Sequence, residues 1–119
     1  MAENSIFSLA LVNSQNYAAS STNYSLSFKS DKINGLASCV ISNSAGDLKV
    51  TQQCSSDDSV WYNPVDENNV TLGLVASGMG VGTVRFVQFD PVLSPYTRFM
   101  MISANTTATK VSMLGFYQE

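Results

Sequence analysis

Apolar residues recur at every second position along nearly the whole chain, and clusters of Ser, Asn, Asp and Gly interrupt them every eight to twelve residues. A period of two belongs to a strand with one face turned to a core, and turn signals at that spacing belong to an all-β sandwich or barrel. Strands are expected over residues 6–12, 23–30, 36–42, 47–54, 70–76, 83–89, 96–103 and 109–117, with a short ninth over 60–62. In the second of these Tyr24, Leu26 and Phe28 are set to one side and Ser25, Ser27 and Lys29 to the other. No stretch reads as a helix. The 119 residues suffice for one domain that buries its own core. The expected fold is therefore all-β: a single-domain antiparallel β-sandwich, jelly-roll-like, over residues 1–119, with 1–22 as an N-terminal arm or edge strand used in assembly.

One hairpin can be given a register. With Asn43, Ser44, Ala45 and Gly46 as a four-residue loop, Ile41 faces Leu48, Cys39 faces Val50 and Ala37 faces Gln52 on one side of the ribbon. In that register Cys54 falls opposite Gly35, about 13 Å along the strand from Cys39, too far for the ~7 Å Cα separation a disulfide allows. Both cysteines are expected as free, inward thiols, which suits a reducing compartment. The three N-x-S/T sequons, at Asn23, Asn69 and Asn105, read as chance in a chain this rich in Ser, Thr and Asn.

Charge narrows the partners. Lys, Arg, Asp and Glu make up 13% of the chain, about half the usual share. In their place stand 18 Ser, 8 Thr and 10 Asn, a surface that repels little. Four Lys and two Arg against nine carboxylates cannot form the basic stripe a nucleic acid requires. The absence of His removes the commonest general base, the Ser-His and Cys-His pairs and most zinc sites, so no enzyme activity and no cofactor are expected. No positive charge precedes Lys29 and no apolar run approaches a membrane span, so the chain reads as soluble and made without a signal peptide.

The densest candidate for chemistry is residues 54–69, with the one tryptophan and four of the nine carboxylates. Trp61 and Tyr62 could stack on a sugar ring while Asp57, Asp58 or Asn63 bind its hydroxyls. Asp57, Asp58, Asp66 and Glu67 could instead surround a calcium ion, although they lack the spacing of a known calcium loop. The structural alternative places Trp61 in the core beneath the loop, where its removal costs about 3–5 kcal/mol, with the acids as turn residues. Gly78, Gly80 and Gly82 precede a strand rather than a helix, so they read as a flexible connection and not as a phosphate loop.

Both arginines lie in strongly apolar strands. Arg85 shares a face with Val87 and Phe89, and Arg98 with Tyr96, Met100 and Ile102. Each reads either as a structural pair, with Asp90 for instance, or as an interface anchor. Residues 83–89 and 96–103 carry bulky groups on both faces, as strands covered on both sides do. In a two-layer sandwich the outer cover is another subunit, and Arg85, Val87, Phe89, Phe99 and Met101 are the candidate contacts.

Residues 46–64, GDLKVTQQCSSDDSVWYNP, resemble the strand followed by S-x-D-G-x-x-W of small β-sandwich modules in bacteriophage structural proteins, of capsid-decoration and tail-fibre type. Residues 95–113, PYTRFMMISANTTATKVSM, are similar to their ending of a Y-x-R strand, an N-T-T-A-T turn and a final strand. The two elements cover about a third of the chain, and Asp58 stands where the pattern has Gly. The resemblance implies a tryptophan, here Trp61, packed under its loop and an arginine, here Arg98, that steadies the sheet. It also implies a non-enzymatic virion protein, made in the host cytoplasm, that decorates or cements a phage capsid. Its partners would be its own copies and a major capsid or other virion protein. The alternative is a carbohydrate-binding adhesin or receptor-binding module that holds a host glycan at Trp61, Tyr62, Asp57 and Asp58.

Overall fold

A computed structural model of the protein describes residues 6–30, 33, 37–44, 47–80, 82–89, 94–103 and 108–118. Nine strands are found there: β1 (Phe7–Tyr17), β2 (Thr22–Tyr24), β3 (Phe28–Lys29), β4 (Ala37–Asn43), β5 (Leu48–Ser55), β6 (Leu74–Met79), β7 (Thr83–Phe89), β8 (Tyr96–Ser103) and β9 (Thr109–Tyr117). Sheet A has the order β1-β9-β4-β7, and sheet B the order β2-β8-β5-β6, with β3 also on β8. All pairings are antiparallel. If β2 and β3 are counted as one interrupted strand, the orders become 1-8-3-6 and 2-7-4-5, the double Greek key of a jelly roll.

That topology overturns the expected β4–β5 hairpin. β4 pairs with β7 and β9 in sheet A, whereas β5 pairs with β6 and β8 in sheet B. The link between them crosses from one layer to the other, and Ala45 and Gly46 of the expected loop lie outside the described residues. The inward set is nevertheless as expected: Ala37, Cys39, Ile41, Leu48, Val50 and Gln52 are all buried. Two strands that face each other across a core need the same alternation as two strands side by side, so the pattern fits both arrangements. Cys39 and Cys54 are free, and they belong to different sheets. Burial pushes the Cys39 thiol up to about 12 and the Cys54 thiol upward.

Core side chains come from alternate positions of both sheets: Leu11, Ile41, Val111 and Met113 from sheet A, and Leu48, Val50, Phe99 and Met101 from sheet B. Phe99 is the largest of the fully buried side chains; Phe89 meets it edge-on at 5.3 Å and Phe28 stacks at 6.2 Å. The strand expected over 23–30 is broken in two, and the side expected to carry Tyr24, Leu26 and Phe28 together is split, with only Phe28 packed on the core. Tyr24 and Leu26 are exposed while Ser25 is buried. Ser25 exchanges backbone and side-chain bonds with Phe99: its N–H donates to the Phe99 carbonyl and its Oγ accepts from the Phe99 N–H, both at 2.9 Å. A small hydroxyl satisfies a buried β8 amide there, which an apolar side chain cannot do. Residues 60–62 form no strand; Tyr62 makes an isolated bridge to Cys54.

Candidate functional site

The outer face of sheet A is the first candidate. Register places Ala10, Leu114, Val40 and Phe86 in one row across all four strands. Ser8, Phe116, Ser38 and Gln88 form the row on one side, and Ser112, Ser42 and Val84 the row on the other. These positions alternate with the buried ones, so they face outward. None of these side chains is charged, and Val84 and Phe86 are 65% and 66% exposed. Phe86 lies nearly parallel to Phe116, with ring centroids 5.8 Å apart. An apolar field rimmed by hydroxyls marks an interaction surface more often than idle surface. β1 forms one edge of the sheet and carries two register shifts, between Ala10 and Val12 and between Val12 and Gln15. Bulges of that kind impede edge-to-edge pairing, so association by the face is favoured over association by the β1 edge.

None of the residues expected to make such contacts is on this face. Phe99 and Met101 are completely buried in the core, because β8 turns its odd-numbered residues inward; their assignment to an outer contact is corrected. Val87 and Phe89 are partly buried and pack against the same core, so the outward residues of β7 are Val84, Phe86 and Gln88. Arg85 is exposed, and its Nη1 donates to the Ser77 carbonyl at 2.8 Å, tying β7 to β6 of the other sheet. It is a cross-layer clasp, and Asp90 lies outside the described residues. Sequence reasoning found β7 and missed its face, since bulky residues on both sides leave the direction undetermined.

The second candidate is on the outer face of sheet B. Trp61 is half-buried and does not belong to the core cluster, contrary to the reading that placed it beneath its loop. It lies over the guanidinium of Arg98 at 4.5 Å, and Tyr24 covers the same group at 3.9 Å. Arg98 Nε donates to Gln53 Oε1 at 2.8 Å, and Gln53 Nε2 donates to Asn63 Oδ1 at 3.1 Å. Tyr62 is exposed and bridged to Cys54, and the ring that shares Arg98 with Trp61 is Tyr24. Because Trp61 rests on a cation rather than in the core, Trp61→Ala should cost about 1–2 kcal/mol in a denaturant titration, less than a core aromatic.

Asp57 closes its own turn. Its Oδ1 accepts from the Ser59 and Val60 amides, each at 3.0 Å, and from the Ser55 hydroxyl, also at 3.0 Å. Those bonds, the Val60 amide first, hold its carboxyl below the usual carboxylate range. A depressed folded pKa stabilises the loop above the ordinary aspartate value and ceases to do so as pH falls through the lowered one. Acidification through that range should alter Trp61 fluorescence, and Asp57→Asn should remove the transition. Asp66 likewise accepts from the Asn68 and Val70 amides. Among the described residues no group of three or more potential ligands gathers to hold a metal ion, so the calcium reading of Asp57, Asp58, Asp66 and Glu67 is not supported by geometry. Asp58 sits at φ +62°, the region that glycine adopts freely. Asp58→Gly should raise stability by about 1 kcal/mol, read as an increased melting temperature.

Neither a family model nor a curated protein matches the sequence. Solved structures do match in fold. The chain is similar to the SPBc2 prophage-derived protein YomS, with TM-score 0.61 and 12% identity over 100% of this chain and 97% of that one. It is similar to the chain of the infectious bursal disease virus VP2 subviral particle, with TM-score 0.61 and 12% identity over 97% of this chain and 32% of that one. A chain of the infectious bursal disease virus Gx strain gives TM-score 0.57 and 13% identity over 94% of this chain and 31% of that one. The chain thus spans about a third of the length of these viral chains. At such identities the likeness is one of fold.

Proposed function

We propose that this protein is a non-enzymatic structural component of a virus particle, which decorates or cements a capsid through the outer face of sheet A. The observation that carries the reading is the uncharged row of Ala10, Leu114, Val40 and Phe86, extended by Val84 and Phe116, on a sheet face with Val84 and Phe86 well exposed among the described residues. Burying each large side chain contributes about 1.5–3 kcal/mol before the costs of association. Four or five of them together suffice when many subunits share a lattice. The low charge density leaves little repulsion to oppose it. The jelly-roll fold shared with chains from viral particles and a prophage supports the same reading. Mass spectrometry of purified particles tests it: the chain should be present at a fixed ratio to the major capsid protein. Particles that lack it would remove the assignment.

A further inference from the structure

We infer that the Arg98 guanidinium on the outer face of sheet B is a receptor for the carboxylate of an acidic sugar. The guanidinium lies over the Tyr24 ring, 3.9 Å from its centroid, and over the Trp61 ring at 4.5 Å, so two aromatic faces displace part of its hydration. Its Nε is satisfied by Gln53 Oε1. Among the described residues neither Nη atom has a hydrogen-bond acceptor, and no carboxylate lies within ion-pair distance. A cation held against two rings, with part of its hydration displaced, keeps the N–H groups of its two Nη atoms for an incoming acceptor. The group that matches them is a carboxylate, which accepts two parallel bonds.

The surroundings choose the carrier. Gln53 Nε2 donates to Asn63 Oδ1, which fixes the Asn63 amide and leaves its Nδ2 as a donor for a hydroxyl. Tyr24 is 48% exposed. Neutral donors and a half-exposed aromatic ring beside one positive group suit a sugar ring with a single carboxylate. A polyacidic peptide would bring several charges to a chain of net charge −3, with Asp57 and Asp58 on the adjoining loop. The site lies on the sheet opposite the proposed assembly face, so it does not depend on that reading.

Trp61, as the chain's one tryptophan, is a unique reporter through its indole N–H resonance. The experiment titrates the full chain with 3′-sialyllactose, with lactose and with a tri-glutamate peptide. A saturable shift is expected with sialyllactose, none with lactose, and a weaker response with the peptide. Arg98→Gln and Arg98→Lys should each weaken sialyllactose binding by about tenfold or more. Tyr24→Ala, at an exposed position, should weaken it as well while the circular dichroism spectrum stays unchanged. No shift with sialyllactose, an equal shift with lactose, tighter binding of the peptide, or full binding by a folded Arg98→Lys protein would each overturn the assignment.

Discussion

Phe99→Ala should destabilise the protein by about 3–5 kcal/mol, the largest loss expected from any single truncation in this core. Phe99 has no exposed surface and stands between Phe28 and Phe89, so its removal leaves a cavity whose walls belong to both sheets. Its backbone is also fixed by the paired bonds to Ser25, which prevents β8 from sliding inward to fill the space. For a domain of 119 residues such a loss is a large part of the whole stability. Urea denaturation followed by the fluorescence of Trp61 measures it. A cost below about 1 kcal/mol would mean that the layers can collapse over the gap, contrary to the packing described here.

Phe86→Asp should abolish association while leaving the monomer folded. Phe86 is 66% exposed and lies at the end of the apolar row, so the monomer loses little beyond its stack on Phe116, about 1 kcal/mol at most. In an assembled interface the same substitution places an unpaired carboxylate against apolar surface, which costs several kcal/mol and reduces affinity by more than about a hundredfold. Sedimentation velocity of the isolated chain and co-sedimentation with particles separate self-association from attachment to a capsid. Phe99→Ala and Phe86→Asp form a pair: one reduces stability through the core, the other reduces assembly at nearly unchanged stability. A variant carrying Phe86→Asp that assembles normally would place the contact elsewhere.

The strand pattern was legible in the residues. β7, β8 and β9 begin and end where the alternation and the turn residues put them. The inward set of β4 and β5 is likewise the one the alternation selects, and the two thiols are free as expected. These features were readable because a half-buried strand imposes its period on its own residues, whatever it pairs with. Tertiary structure alone decided the partners. In a jelly roll most successive strands change sheet, so β4 and β5, adjacent in sequence and matched in pattern, lie in opposite layers. Alternation specifies a face and carries no information about the neighbour. The same reason hid the outward face of β7, where Val84 and Phe86 are as bulky as Val87 and Phe89, and where only the pairing with β4 tells one side from the other. It also hid the stack of Tyr24, Arg98 and Trp61, whose members come from β2, β8 and the long loop after β5. No spacing along the chain signals such a meeting; it arises because β2 and β5 flank β8 on one sheet, and a cation with no acid beside it among the described residues takes the aromatic faces that this arrangement brings within reach.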